Sequence, residues 1–394
     1  MKETIIPIGP YHPLQEEPEF FTLTVEGERV VNIDVRVGYN HRGIEKLSEM
    51  KTFDQSTFVI ERICGICSTS HPFAYTRALE DIISMEVPRR ARYIRTIIAE
   101  GERIHSHLLW LGLAGHFLGY KTVYMWAWKL REEILDVMEM LSGNRNNYAM
   151  FKPGGVRRDI KAADLPVALG KLDSIIPTLE MLRKAVLDDP VLHARTQGIG
   201  VLSKQDAIDF SALGPTARAS GVARDVRKDC PYGVYDEVEW DMIVTANGDV
   251  FDKLVVRIGE VFESVRIMKA CLLNLPRGEI DAGIADIPPG EGIGHIEAPR
   301  GETFHYVRSD GTNRPVRHKV RAPTFMNLPT FKTTVKGATL SDATIILAAI
   351  DPCYCCTERM AVRDPEGRTL GDGYDLIRLS QEKTARIKRK MGNK

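Results

Sequence analysis

The chain has 394 residues, and its 53 Lys and Arg balance 53 Asp and Glu to a formal net charge of zero. With 43% hydrophobic and 27% charged residues it has the composition of an ordinary globular protein, which excludes a disordered chain poor in apolar residues. No basic excess is present to displace phosphate counterions, so nucleic acid is not expected as a partner. The longest apolar stretch, Leu108–Tyr120, falls well short of the roughly 20 residues that a membrane span needs. The N-terminus, MKETIIPIGPYHP, lacks the charged-then-apolar pattern of a signal peptide. The expectation is a cytoplasmic chain, or one held peripherally at a membrane through partner subunits.

In chain order, Phe20–Val25 and Arg29–Val37 read as strands joined by the turn Glu26-Gly27-Glu28. From about Phe53 the apolar period becomes helical. In Pro88–Phe117, residues Ile94, Ile97, Ile98, Ile104, Leu108 and Leu111 fall on one face and predict an amphipathic helix. Val123–Leu141, Leu165–Leu187 and Phe251–Leu275 are three further helical segments. Glu302–Val307 and Pro315–Val320 flank Ser309-Asp310-Gly311-Thr312 as a hairpin. Met360–Leu370 reads as a smaller hairpin around Asp364-Pro365-Glu366-Gly367, and Asp375–Lys390 as a basic terminal helix. The pattern predicts an α+β fold in a single large domain with a long-helix core. Within it, residues 1–50 are β-rich, 51–290 form the helical core, 291–359 carry a β hairpin and the second cysteine motif, and 360–394 a C-terminal hairpin and helix that read as retained structure.

Seven cysteines occur, at 64, 67, 230, 271, 353, 355 and 356. An odd number clustered at two ends of the chain does not read as a disulfide framework. Cys64 and Cys67 form one CxxC, and Cys353 and Cys356 another. Each turn places two thiolates close together, and two pairs supply the four soft ligands that Zn, Ni or Fe prefer. A structural zinc site usually closes a loop of about 15–20 residues between its pairs, far less than the separation here. Cys230, Cys271 and Cys355 read as buried small hydrophobes.

The flanks are specific. Glu61–His71, ERICGICSTSH, and Asp351–Arg359, DPCYCCTER, resemble the two signature motifs of the large subunit of NiFe hydrogenases, RxCGxCxxxH and DPCxxC. Gly9–Pro13, His41–Glu45, Ser106–Gly112, Gly214–Asp241 and Glu297–Gly301 are also similar to family segments, so the resemblance spans nearly the whole chain. The GPxHP and SHLLWLG segments are most similar to the energy-converting, membrane-associated group. That group shares ancestry with the quinone-site subunit of respiratory complex I, which lacks the four cysteines.

The resemblance implies a Ni–Fe(CN)2(CO) centre, with nickel on Cys64, Cys67, Cys353 and Cys356, and iron bridged by Cys67 and Cys356. It implies that Arg300 extends a guanidinium over the metal and that Asp351 pairs with it or caps the turn at Pro352. It implies a proton-relaying acid after the GPxHP segment, which is Glu17, with Glu16 one residue away. In many relatives an acid at Glu45 helps to hold Mg2+ with a histidine three residues after the last cysteine. That position is Arg359 here, so a Glu45–Arg359 ion pair is expected in place of the ion. His107 and His12 are placed by the same resemblance near a subunit face. The implied activity is reversible cleavage of H2, with electrons passing to a small subunit holding a 4Fe–4S cluster, to ferredoxin indirectly, and with coupling through membrane-embedded ion-translocating subunits. The rival readings are a metal-free quinone-site or coupling subunit and a structural thiolate-metal protein.

Overall fold

The computed structural model describes residues 2–13, 15–283, 286–357, 361–364 and 366–392. Three antiparallel strands open the fold: β1 (Glu3–Ile8), β2 (Phe20–Glu26) and β3 (Arg29–Arg36), in that order across the sheet. Phe21, Leu23 and Val25 alternate inward along β2, as a half-buried strand requires. β1 is an addition to the expected hairpin. It pairs with β2 from Glu3↔Glu26 to Ile8↔Phe21, and the loop between them carries Glu16 and Glu17. Gly9 lets the two ends of this loop touch: its φ is +103°, and a Cβ there would lie 1.9 Å from the Glu19 carbonyl oxygen.

The helical part contains α1 (Ile44–Glu49), α2 (Phe53–Glu61), α3 (Ser70–Ile82), α4 (Arg89–Phe117), α5 (Lys121–Ser142), α6 (Asp164–Leu187) and α7 (Val250–Leu273). α4 is the axis of the fold and packs against α5 on one side and α7 on another. The sequence predicts an amphipathic α4. The structure corrects this: Ile94, Ile97, Ile98, Ile104 and Leu108 are buried, and so are Arg95, Glu100, Glu102, Arg103, His105 and His107 on the other faces. A lone surface helix would leave those polar residues in water. Here a second layer of protein covers them and brings groups of opposite charge.

That layer includes a second antiparallel sheet, β4 (Gly290–Ala298), β5 (Gly301–Ser309) and β6 (Pro315–Arg321). β5 and β6 are the expected hairpin. β4 is additional, and its glycines explain both why it was illegible and why it is there. A Cβ at Gly294 would lie 1.9 Å from the Ala74 carbonyl oxygen of α3, so the helix rests directly on the strand. α8 (Leu340–Ala349) and the one-turn α9 (Tyr354–Thr357) follow. The chain continues into β7 (Ala361–Arg363), β8 (Thr369–Asp372) and the exposed basic helix α10 (Gly373–Met391), matching the expected hairpin and terminal helix. The mixed helix and strand content is the α+β class that the pattern predicts. No helix among the described residues is long and apolar enough to cross a membrane.

Candidate metal centre

Cys64 and Cys67 lie in the turn between α2 and α3, and Cys353 and Cys356 lie where α8 passes into α9. The backbone N–H groups of Ile66 and Cys67 both reach Cys64 Sγ at 3.2 Å, which curls the first CxxC around its leading sulfur. The second motif is anchored by Thr324, whose Oγ1 accepts the Cys353 N–H at 3.1 Å. Residues almost 290 positions apart thereby meet. Cys353 Sγ lies 2.8 Å from Cys356 Sγ and 3.3 Å from Cys64 Sγ, and all four sulfurs lie within 4.8 Å of one another. Every one is buried, in an apolar cluster that includes Phe53, Ile60, Tyr75 and Val307. Among the described residues this is the only group of three or more His, Cys, Asp or Glu placed to share a metal ion.

The electrostatics match a cation in their midst. Cys64 is driven well below the usual thiol range, first by its hydrogen bond with Cys353. Cys353 is pushed well above that range by its bond to Cys356, and Cys356 by burial. Four thiolates cannot stand together here on the charges of the described residues alone. A soft divalent metal that replaces their protons fits the donor set.

Arg300 comes to this cluster from the tip of the β4–β5 hairpin. Ala298 pairs with Gly301, which leaves Pro299 and Arg300 as the two turn residues. The turn seats on Gly214, where a Cβ would lie 2.4 Å from the Arg300 carbonyl oxygen. The buried guanidinium donates to Asp351 Oδ1 at 2.6 Å, the Asp351 carbonyl at 2.7 Å, Ser106 Oγ at 3.2 Å and Cys67 Sγ at 3.4 Å. Of the two expected roles for Asp351, the structure thus places it as the partner of Arg300. Asp351 has a φ of +55°, a left-handed conformation that Asp tolerates better than most residues.

Glu17 accepts the Cys355 backbone N–H at 2.7 Å, which fixes its carboxylate beside the second CxxC. Burial raises its pKa above the ordinary carboxyl value, and the nearby Cys64 raises it further. Glu16 sits between the loop pocket and an apolar pocket lined by Ile8, Phe21, Phe117, Leu347 and Tyr354. Crowding by protein and the charge of Asp351 push Glu16 upward too, but the residue remains exposed to water, which opposes that push. Cys355 stays outside the sulfur cluster.

Other expected residues lie elsewhere. Glu45 accepts from Lys319 Nζ at 2.6 Å and from the Val320 N–H at 3.1 Å, and it belongs to no ligand cluster among the described residues. Arg359, its expected partner, lies outside the described residues. His107 is enclosed within the chain and lies 2.8 Å from Glu260 Oε2. His12 lines the surface pocket of the β1–β2 loop.

Sequence reasoning gave no role to several close neighbours. His71 Nε2 lies 3.3 Å from Cys356 Sγ. Glu102, raised to about 8 by burial, accepts the Thr69 and Ser70 N–H groups at the start of α3 and so holds the loop behind Cys67. His71 and Ser106 stand inside segments already singled out, so their proximity to the cysteines was available as a signal. Glu102 carried none.

The comparisons bear on this geometry. The family described as "Respiratory-chain NADH dehydrogenase, 49 Kd subunit" matches residues 118–287 and 282–359, and the family "Nickel-dependent hydrogenase" matches residues 42–113. The chain is 43% identical to the membrane-bound hydrogenase subunit alpha of Pyrococcus furiosus, over 97% of this chain and 93% of that protein. The chain belongs to the family that unites the large subunits of membrane-bound hydrogenases with the 49 Kd subunit of respiratory NADH dehydrogenase. The carbon monoxide-induced hydrogenase of Rhodospirillum rubrum is 40% identical over 91% of this chain and all of that protein. A chain in the structure of an archaeal respiratory membrane complex, the membrane-bound sulfane sulfur reductase, superposes with a TM-score of 0.86 at 31% identity, covering 90% of this chain and 98% of that one.

Proposed function

We infer that this chain is the catalytic large subunit of an energy-converting NiFe hydrogenase, which cleaves H2 reversibly to protons and electrons. The observation that carries the reading is the buried cluster of four cysteine sulfurs within 4.8 Å of one another, on a chain of this family. Cys64, Cys67, Cys353 and Cys356 would hold nickel, with Cys67 and Cys356 shared with an iron that carries CO and cyanide. That group, when bound, supplies the soft, electron-rich site at which H2 is split.

The remaining work falls to the chain. Arg300 is charged at every accessible pH, and its bonds to Asp351 fix its plane, so it holds positive charge at the sulfurs without exchanging a proton. Glu17, whose pKa burial raises, holds a proton more readily than an ordinary carboxyl and can release it towards the surface pocket of the β1–β2 loop. The apolar walls around the cysteines exclude water and strengthen each of these interactions.

Seven cysteines, four of them in the cluster, leave too few for a 4Fe–4S cluster in this chain. Electrons therefore pass to a small iron–sulfur subunit and through it to ferredoxin. The complex docks on membrane-embedded ion-translocating subunits, which puts this chain peripherally on the cytoplasmic face. At Glu45, where many relatives hold Mg2+, Lys319 pairs with the carboxylate.

Elemental analysis and infrared spectroscopy of the purified complex test this reading. Equimolar Ni and Fe with absorption from bound CO and cyanide are expected. Absence of metal returns the quinone-site reading, and zinc alone returns the structural-metal reading.

A further inference from the structure

Beyond the pair of Arg300 and Asp351 lies a second buried guanidinium. Arg257 stands on α7 and is 1% exposed. Its guanidinium lies over the Trp110 ring of α4, 4.0 Å from the ring centroid. Trp110 Nε1 donates to the Ala348 carbonyl at 2.8 Å, and the Asp351 N–H donates to the same carbonyl at 2.9 Å. One turn back on α4, Ser106 Oγ accepts from Arg300 at 3.2 Å. Arg257 and Asp351 are thus tied to the same end of α8 through one indole and one carbonyl.

The unused atoms of the two side chains are complementary. Arg257 Nη1 donates to the Lys253 carbonyl at 3.0 Å, which leaves Nε and Nη2 buried with no hydrogen-bond partner among the described residues. Asp351 gives Oδ1 to Arg300 at 2.6 Å, and its Oδ2 is likewise buried without a partner among them. Burial lowers Arg257 to about 10, and Asp351 is the charge that opposes this most strongly. The guanidinium therefore stays charged at physiological pH. Two orphan donors on a cation share a neighbourhood with one orphan acceptor on an anion. Buried polar groups are rarely left unmet, and an ordered water with about three polar partners is a common bridge.

We propose that one ordered water joins Arg257 to Asp351 Oδ2, and that Arg257 is a positioning residue that through this bridge holds Asp351, and so Arg300, at the cysteine cluster. Asp351 needs such a hold. Its φ of +55° is a left-handed conformation that surrounding contacts must maintain. With both carboxylate oxygens held, the plane of Asp351 is fixed, and with it the Arg300 fork that reaches Cys67 Sγ at 3.4 Å. No proton or electron moves in this role. Its effect on turnover rests on the hydrogenase reading, whereas the bridge itself belongs to this chain alone.

The test uses the purified complex. An experimental structure at a resolution that shows ordered water should place one within hydrogen-bond distance of Asp351 Oδ2 and of Arg257 Nε or Nη2. Asp351 Oδ2 bonded to any other group of the complex, or no water between the two side chains, overturns the proposal. Its consequence is read as H2 turnover per nickel in Arg257→Met, Arg300→Lys and the double variant, with Lys253→Met as the control. Lys253 is as deeply buried on the same helix, but donates to the Gly200 carbonyl at 3.1 Å. Arg257→Met should lower turnover per nickel roughly 10–100-fold, the scale for an outer partner at a metal site. It should add at most about twofold to the loss in Arg300→Lys, because both changes act through the same Asp351 contact. Lys253→Met should lower the unfolding midpoint and leave turnover per nickel unchanged. Full additivity of the two arginine losses, or an equal loss in Lys253→Met, would make Arg257 a structural cation and overturn its positioning role. If Arg257→Met does not accumulate, the bridging water still decides. A wild-type complex with the water in place but without nickel or H2 turnover would bring down the hydrogenase reading and leave the bridge standing.

Discussion

Two regions of this protein bury dense groups of ionisable side chains, and they do so in opposite ways. Around α4 and α7, Arg218 donates to Glu260 and Glu297, Arg227 pairs with Asp225 and Glu100, and Arg103 lies against Glu100. Four carboxylates face three guanidinium groups there. Burial and the charge of Asp225 raise Glu297 to about 7, which makes it the natural site for the odd proton. Signs alternate, so the network compensates itself. The cysteine cluster instead sets four groups of one chemistry against each other, and among the described residues the guanidinium of Arg300 lies at its edge. A cation bound among the four sulfurs would compensate it. Burial that is balanced internally marks structure, and burial that is not marks the place of a guest.

The sharpest way to break the comparison is to remove ligands. Cys64→Ser, Cys67→Ser, Cys353→Ser or Cys356→Ser should each abolish H2 turnover and nickel retention, measured as activity and metal per protein. Cys355→Ala, outside the cluster, should leave both near wild type. Nickel loss from Cys355→Ala with retention in Cys356→Ala would reverse the ligand assignment.

In the balanced region the same kind of deletion should act on stability. Arg218→Met keeps the bulk but strands Glu260 and Glu297 in the interior. Breaking one partner of a buried network costs about 3–5 kcal/mol, so the variant should unfold at markedly lower denaturant or accumulate poorly. An unchanged unfolding midpoint would mean that the network contributes little.

Arg300 stands between the two regions in kind, a compensated charge placed at the cysteine cluster. Arg300→Lys preserves charge but cannot serve Asp351, Ser106 and Cys67 with one planar fork. By analogy with losing a preorganised donor, it should cost about 3–4 kcal/mol, or 10²–10³ in rate. Specific activity per nickel is the quantity to compare, and equality with wild type would make Arg300 a structural residue. Glu17→Gln should lower turnover by roughly 10², the lower end for a lost acid–base group, with metal content and infrared bands intact. Loss in Glu16→Gln instead would move the relay by one residue.

How much of this could be read beforehand follows from what each signal encodes. A CxxC turn brings its two sulfurs together locally, so all four cysteines of the cluster were legible. The long helices α5, α6 and α7 were legible from their period to within about two residues. β4 was not, because Gly290, Gly292 and Gly294 read as loop when the contact with α3 is unseen. Nor was the 2.9 Å contact between His305 and His318, which stand on one face of the sheet only through its register, His305 opposite Val320 and His318 opposite Val307. The buried polar face of α4 was misread because a helix sequence shows which residues share a face and not what covers it.

The smallest expected effect concerns Glu45, where the comparison is finest. A carboxylate that held Mg2+ would be one more site compensated from outside, whereas one that pairs with lysine is compensated from within. Lys319 Nζ lies 2.6 Å from Glu45 Oε2, and the Val320 N–H occupies the other oxygen at 3.1 Å. The Lys319 side chain is 41% exposed, so water screens the pair, and such pairs contribute about 0–1 kcal/mol. Lys319→Ala should therefore shift the thermal midpoint only slightly and leave H2 turnover unchanged. Chelation of Mg2+ in the wild-type complex should alter neither quantity. A fall in thermal midpoint on chelation, reversed by added Mg2+ and absent in Glu45→Gln, would show that Glu45 holds the ion and that lysine merely lies beside it.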